Sequence, residues 1–466
     1  MSEFRIEKDS LGEMQVPASA LWGPQTQRAV ENFPISGAPL PPSFIHTLGL
    51  VKAAAARVNA SLGTIDPGVA AAIEKAALEV AEGKWDAEFP IDVFQTGSGT
   101  SSNMNANEVI ARLASRQSGL AVHPNDHVNF GQSSNDVIPT VMHVAAVVRI
   151  ERDLLPALAQ LWKALDAKSR EFHDVLKSGR THLMDATPIR LGQEFSGYAS
   201  QIQHGIARVQ ATLPDLRELA IGGTAVGTGL NTHPEFGRRM AMEIGAMAGT
   251  RFSEAPNHFE AQGAQDGACW TSGALNSVAA SLMKIANDIR LMASGPRCGL
   301  GELQLPAIQP GSSIMPGKVN PVVCEAVIMV GAQVMGNHMA ITVGAQWGQL
   351  DLNTMLPMMA RNLLESIHLL ANASRVFAGK AIDGLTADAE ACLAYVEISP
   401  SMATALNPLI GYDQAAEIAK RSFRERRPVR ELASEMTSLS KAEIDAALDP
   451  ARQTEPGLDL GGGAGG

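Results

Sequence analysis

Gly311-Ser312-Ser313-Ile314-Met315-Pro316-Gly317-Lys318-Val319-Asn320-Pro321 is the most informative stretch of this chain, combining two glycines, two adjacent hydroxyls, a lysine and an Asn-Pro step with little bulk between them. Glycine tolerates backbone conformations that other residues avoid, so the segment can move or curl around a ligand. Asn320 followed by Pro321 reads as an N-cap with proline at the first helical position. The loop therefore feeds a helix N-terminus, where free N–H groups and the helix dipole favour an anion. Lys318 adds a positive charge beside that spot. A phosphate-binding P-loop is excluded by spacing, because five residues rather than four separate Gly311 from Gly317, and Val319 rather than Ser or Thr follows Lys318. Two readings remain at this point: a plain Gly/Ser connector, or an anion-binding loop carrying a potential nucleophile or base in Ser312 or Ser313.

Composition narrows the classes. The 466 residues suffice for a large core divided into two or three domains. Aromatic residues make up only 5% while Ala, Leu and Met are plentiful, which favours long packed helices. The formal net charge of −11 disfavours nucleic acid or an anionic membrane as a partner, so a site for an anion must work through local charge. Cys269, Cys298, Cys324 and Cys392 form no CxxC pair, which argues against zinc, an iron–sulfur cluster or a disulfide framework and fits a reducing compartment. No apolar run reaches the roughly 18 residues of a spanning helix, and Met1 to Met14 has no apolar targeting core. The expectation is a cytoplasmic protein with no metal, no cofactor, no nucleic-acid partner and no membrane. The tail Gly461–Gly466 is low-complexity and expected to be disordered.

Helical periodicity dominates the middle of the chain. Leu275, Val278, Leu282, Ile285, Ile289 and Met292 are spaced 3, 4, 3, 4, 3, a seam for a helix packed nearly parallel to others. Val137, Val141, Val144, Val148, Leu155, Leu158, Trp162 and Leu165 follow the same rule, with Glu151 where an apolar residue is due and Pro156 expected to kink the helix. Val323, Val327, Val330, Val334 and Ile341 give a third such helix. Alternating strands are almost absent. The seams look longer than one subunit can cover, which predicts burial against copies of the chain.

Three further segments place hydroxyls and amides near an expected helix start. Gly97-Ser98-Gly99-Thr100-Ser101-Ser102-Asn103-Met104-Asn105 precedes a helix through Glu108 to Ser115; Ser98 and Thr100 can donate to carboxylate oxygens while glycine lets the backbone approach. Gln132-Ser133-Ser134-Asn135-Asp136 precedes the Val137 helix, with Asn135 or Asp136 as the natural N-cap or the two serines as ordinary capping residues. Gly179-Arg180-Thr181-His182-Leu183-Met184-Asp185-Ala186-Thr187-Pro188 ends in a Thr-Pro step read as a helix start, which puts His182 on a loop. His123-Pro124-Asn125-Asp126-His127 reads equally as a polar turn or as a second anion site. The convergence favours a small dianion or trianion held by many hydrogen bonds and helix ends.

These segments resemble the signatures of the fumarase/aspartase superfamily of lyases. Residues 311–321 are similar to G-S-S-x-M-P-x-K-x-N-P, Thr96–Asn105 to T-G-S-G-T-x-x-N-M-N, Ser133–Asp136 to S-S-x-D, and Gly179–Ala186 to G-R-T-H-x-x-D-A. The opening, with Gly12-Glu13-Met14-Gln15-Val16-Pro17 and Trp22-Gly23-Pro24-Gln25-Thr26-Gln27, looks like class II fumarases, and the resemblance runs from Phe4 through Asp413. His182, Gly317 and Val319 are the fumarase choices where aspartases or the argininosuccinate and adenylosuccinate lyases differ; Met184 departs from the Gln of many fumarases.

The resemblance implies an all-α, three-domain fold: 1-133 as N-terminal lyase domain, 134-388 as central helix bundle, and 389-466 as small helical C-terminal domain with a Gly-rich tail. It implies a homotetramer with a bundle core built from four chains, active sites shared between chains, and a small dicarboxylate as substrate. The implied reaction is the metal-independent hydration of fumarate to L-malate in the tricarboxylic acid cycle, through an aci-carboxylate intermediate and without a cofactor. Ser312, His182, Glu325 and Lys318 are the implied catalytic residues, with Glu325 paired to His182. Ser98, Gly99, Thr100, Ser133, Ser134, Asn135, Thr181, Ser313, Lys318, Val319 and Asn320 are the implied substrate-binding residues, and His123, Pro124, Asn125 and Asp126 the second anion site. Which of Ser312 and His182 takes the carbon-bound proton stays open. An aspartase or another fumarate-releasing lyase, and a catalytically inactive relative, are the alternatives.

Overall fold

The computed structural model describes residues 4–457, so the Gly461–Gly466 tail lies outside the described residues. Helices hold 63% of the chain and strands only 9%, which makes the architecture all-α, with five two-stranded sheets among the described residues. Local sequence accounts for the helix starts. Asp66 caps Pro67–Ala81, its Oδ1 accepting from Gly68 N at 2.8 Å and Val69 N at 3.0 Å, with proline at the first position. Ser440 and Glu443 form a reciprocal capping box at Lys441–Ala447. The strands escape a periodicity search because they are short. Phe4–Asp9 and Gly12–Pro17 pair as an antiparallel hairpin with Arg5 opposite Val16 and Glu7 opposite Met14.

The chain groups into two compact units, one of Met1–Pro156, Gly205–Ala279 and Val330–Asn372, the other of Ala157–His204, Ala280–Met329 and Ala373–Gly466, as far as the described residues extend. In the first, the Pro42–Ser61 helix packs against Pro67–Ala81, Phe236–Ala248 and Ser134–Arg149. In the second, the C-terminal part has its own core, with Met402, Leu406, Ile418, Leu432 and Ile444 buried together.

Two features of the helices correct the periodicity reading. The helix expected from Val137 through Leu165 is two helices, Ser134–Arg149 and Leu155–Glu171, joined by a π-turn at Ile150–Leu154. The wider turn shifts the register, so the fully buried positions become Val147, Ile150, Leu154, Leu158, Leu161 and Leu165. Glu151 falls outside this stripe and pairs with Arg217 at 2.5 Å, which explains a carboxylate at an apparent core position. The local distortion is the π-turn rather than Pro156, which sits in the first turn of the following helix, where its missing N–H matters least.

The seams are largely covered within one chain, although Val330 stays half-buried. Leu275, Val278, Leu282, Ile285, Ile289 and Met292 are at most 4% exposed within the single chain, and Val327, Val334 and Ile341 are equally buried. Each such side chain contributes roughly 1.5–3 kcal/mol of burial. What stays open is another face of Val322–Ala345, where Met329 is 67% and Met339 64% exposed, with Val343 half exposed beside them. The helix is apolar on two sides, and a single-seam reading sees only one. It is also the one helix among the described residues long and apolar enough to cross a membrane, by length and composition only. A count of uninterrupted apolar runs misses it because Glu325, Gln333, Asn337 and His338 break the run. Asn337 is buried and donates from Nδ2 to Glu365 Oε2 at 3.0 Å and Ser366 Oγ at 3.1 Å.

Candidate active site

In the first unit, two helix N-termini meet beside a cleft. Thr100–Ser118 begins after Gly99, whose φ of +72° lies in the left-handed region that glycine enters without strain. Ser134–Arg149 begins after Ser133. Between them Ser98 Oγ lies 2.8 Å from Thr100 Oγ1, which lies 2.7 Å from Ser134 Oγ. Three hydroxyls thus form one hydrogen-bonded row at two positive helix ends. Of the capping residues the sequence offers, Ser133 is the N-cap: its Oγ accepts from Asn135 N at 3.2 Å, and Asp136 Oδ1 accepts from Ser133 N at 2.9 Å. The reason is the Ser-x-x-Asp spacing, which lets the acid reach back over one turn. Asn135 Nδ2 donates to Ala225 O at 2.8 Å. Thr100, Asn103, Ser133, Ser134 and Thr224 are among the residues around a cavity of about 360 Å³.

Behind this row stands a buried polar network that the sequence reading missed. Lys52 is fully buried and donates from Nζ to Asn129 Oδ1 and Gln132 Oε1, both at 3.0 Å. Asn103 and Asn107 donate to the same Asn129 Oδ1 at 3.1 Å. Asp136, also fully buried, accepts at Oδ2 from Gly222 N at 3.1 Å and Thr224 N at 2.9 Å. Loss of hydration pushes the Asp136 carboxyl up to about 6, against the pull of its backbone donors and of Lys52. The same loss pushes the Lys52 amine down to about 7, opposed by Asp136. A signal existed in the sequence: Lys52 is the one charge in the run Leu48–Ala56, and a lysine at a core helical position persists only with polar partners.

His182 belongs to the second unit, and its setting differs from the expected helix mouth. Leu176–Thr181 and Met184–Arg190 form an antiparallel hairpin with Thr181 opposite Met184. His182 and Leu183 are its two-residue turn, with φ of +56° and +61°. Such a turn matches the twist of the two strands but strains residues that carry a Cβ. Thr187 and Pro188 lie in the second strand, and the next helix begins at Leu191. The Thr-Pro step misleads because proline is also tolerated in an edge strand, which both strands of a two-stranded ribbon are. Thr181, His182 and Met184 are all exposed at the tip. The base of the hairpin is anchored by buried Glu302, which accepts from Arg180 Nη1 at 2.8 Å and lies 3.5 Å from Lys177 Nζ.

Residues 311–320 form a loop closed at its neck. Gly311 N donates to Lys318 O at 2.8 Å, and Asn320 Nδ2 donates to Gly311 O at 2.6 Å. A Cβ on Gly311 would lie 2.5 Å from Lys318 O, so only glycine fits this neck. Asn320 is a neck residue rather than the expected N-cap, because its amide turns back to the loop and the helix starts at Val322. Ser312 Oγ accepts from Ile314 N at 3.2 Å and Met315 N at 3.0 Å. Ser313, Lys318 and Val319 are exposed, as is Glu325 in the first turn of the helix. Within one chain the side chains of His182, Lys318 and Glu325 have no hydrogen-bonded or ionic partner among the described residues.

A lyase family model matches residues 12–336, and a fumarase C C-terminus model matches residues 402–455. The class II fumarate hydratase of Xylella fastidiosa is 54% identical over 463 residues, 99% of this chain and 98% of that protein. The chain belongs to the class II fumarase family. The class II fumarate hydratase of Mycobacterium tuberculosis is 56% identical over 453 residues, 96% of this chain and 95% of its own length. Among solved structures, the class II fumarase from Schistosoma mansoni shares the fold with a TM-score of 0.93 at 40% identity, covering 96% of this chain and 98% of that one.

The remaining segment of the fumarase resemblance, His123–Asp126, lies in the first unit. His123 caps a π-turn at Pro124–Val128: its Nδ1 accepts from Asn125 N at 3.3 Å and Asp126 N at 3.1 Å, while His127 Nδ1 accepts from His123 N at 2.9 Å. The polar-turn reading thus has its hydrogen bonds in place. The segment also borders a cavity of about 570 Å³ whose walls mix Lys8 and Arg112 with Glu7, Asp9 and Glu108. Among the described residues no group of three or more His, Cys, Asp or Glu side chains is arranged to hold a metal ion.

Proposed function

We infer that the protein is a fumarate hydratase, adding water reversibly across fumarate to give L-malate, a step of the tricarboxylic acid cycle. The observation that carries this reading is the row Ser98–Thr100–Ser134, three hydroxyls at two helix N-termini beside a cleft, in a chain of this family. Removing a proton next to a carboxylate builds a dianionic aci-carboxylate, and preorganised donors aimed at that group lower the barrier most. The hydroxyl row, Ser133, Asn135 and Thr181, together with Ser313, Lys318, Val319 and Asn320 of the loop, are the binding groups in this account. Ser312 and His182 divide the two proton transfers, one at carbon and one at the departing hydroxyl. Lys318 supplies the positive charge that a serine base needs, and Glu325 orients the imidazole of His182. His123, Pro124, Asn125 and Asp126 hold a second anion away from the reacting bond.

In the same proposal the enzyme is a homotetramer whose sites draw segments from different chains, with the divisions 1-133, 134-388 and 389-466 as its three domains. Two features support it. His182, Lys318 and Glu325 stand unpartnered in one chain, and the open face of Val322–Ala345 presents Met329 and Met339, side chains that gain about 1.5–3 kcal/mol each on burial. A cytoplasmic location agrees with four free cysteines.

The test is the ultraviolet absorbance of fumarate formed from malate, aspartate or argininosuccinate by the purified enzyme, before and after chelation. Malate dehydration that survives chelation is expected. Fumarate from aspartate alone would make the enzyme an aspartase, and no product from any substrate would make it an inactive relative.

A further inference from the structure

We propose that Lys52 is the buried cation that gives the substrate cleft its local positive potential and fixes the amides of Asn129 and Gln132 that wall it. The inference rests on the dicarboxylate reading of that cleft and adds a positioning residue that does not touch the substrate. Asn129 and Gln132 both line the cavity, and each presents its oxygen to Lys52 Nζ at 3.0 Å. Their amide nitrogens then point to the backbone: Asn129 Nδ2 donates to Gln132 O at 3.1 Å, and Gln132 Nε2 to Val128 O at 3.1 Å and Phe130 O at 3.2 Å. One ammonium group thus sets the 128–132 loop that leads into Ser133 and Ser134. Asn103, also at the cavity, is tied to the same Asn129 oxygen.

Among the described residues, Lys52 Nζ is hydrogen-bonded to amide oxygens and to no carboxylate. Asp136 faces it through space from the Ser134–Arg149 helix, but its own oxygens accept from Ser133 N, Gly222 N and Thr224 N. Among the acidic groups on the elements packed around the Lys52 helix, Glu74 and Glu243 pair with Arg57, Glu79 accepts from Trp85 Nε1 and Gln117 Nε2, and Glu108 accepts from Gly23 N, Gln25 N and Thr26 N. One residue behind a cleft wall and away from water, the protonated Lys52 amine, offset in part by the Asp136 charge, acts on an entering anion. In a chain with a net charge of −11, that local cation answers how a dianion is admitted.

Lys52→Met keeps the length and apolar stem and removes the charge. Lys52→Gln likewise removes the charge but keeps a polar head that can donate to Asn129 or Gln132. For both we expect KM for fumarate and Ki for succinate to rise at least about tenfold, the effect of one charge several ångströms away at an effective dielectric of roughly 20. The turnover number should fall by less than KM rises, because two of the three charges of the aci-carboxylate state are already present in the bound substrate. If Lys52→Met fails to fold, Lys52→Gln alone decides. Unchanged KM and Ki in a folded variant overturn the assignment, as does a loss confined to kcat. Succinate binding to the wild-type enzyme, measured by calorimetry, separates the two readings: no binding there overturns the dicarboxylate cleft itself, whereas normal binding that neither variant weakens overturns Lys52 alone.

Discussion

Replacing Ser312 by alanine separates proton transfer from loop geometry. In the structure Ser312 Oγ accepts two hydrogen bonds, from Ile314 N and Met315 N. Those residues are 84% and 48% exposed, so water replaces the lost partner. At the lower end of the usual range the two bonds together contribute about 1 kcal/mol, or roughly fivefold in the population of the ordered loop. The neck bonds, Gly311 N to Lys318 O and Asn320 Nδ2 to Gly311 O, do not use the serine side chain and survive the change. Loss of a general acid or base, by contrast, lowers turnover by about 10²–10⁴-fold. We therefore expect Ser312→Ala to lower kcat for malate dehydration by at least about 100-fold, with an unchanged melting temperature and circular dichroism spectrum. Steady-state kinetics in both directions, separating kcat from KM, make the measurement. A variant that keeps more than about a tenth of wild-type kcat would refute the reasoning, because the loop bonds alone account for a loss of that size.

Three further outcomes follow from the geometry. His182→Asn should lower kcat by about 100-fold or more while succinate Ki stays within about threefold; a Ki that collapses with kcat would make His182 a binding residue. His123→Asn should leave turnover within about tenfold, since an anion site away from the reacting bond adds uniform binding; a loss as large as that of Ser312→Ala would place the segment in the chemistry. Asp136→Asn turns one acceptor oxygen into a donor facing Ser133 N or the Gly222 and Thr224 N–H groups. At about 1–3 kcal/mol per unsatisfied buried group, it should lower stability by roughly 2–5 kcal/mol, read as an earlier unfolding midpoint in urea; an unshifted midpoint would remove the network from the account.

The helical class, the loop at 311–320 and the helix mouth near Ser133 were legible because they rest on local chemistry, namely spacing, caps and glycine, whereas the helix expected through Glu108 begins earlier, at Thr100, so that Thr100–Asn105 lie within it. The misreadings share one cause, which is that local signals serve more than one structure. Thr187-Pro188 marks a helix start or an edge strand, and the tertiary pairing of Leu176–Thr181 with Met184–Arg190 selects the strand. Glu151 and Pro156 resemble a kinked helix until the π-turn absorbs a residue. Asn320 has a cap's sequence but a neck's hydrogen bond. The seams are largely buried within one chain, and periodicity shows that a stripe is buried but not which chain buries it. Lys52 and Asp136 were invisible as a pair because they are brought together by packing across a long separation in sequence.

The proposal that the fumarate-hydrating site is shared between chains is tested most directly by mixing two inactive enzymes, His182→Asn and Ser312→Ala, unfolding them together and reassembling them. If His182 and Ser312 of one site come from different chains, some mixed tetramers hold a site built wholly from intact segments. Malate dehydration should then reappear in the mixture, while neither parent treated alone regains it. Confirmed mixed tetramers with no recovered activity would mean that both residues of a site come from one chain, and the shared-site account would be wrong.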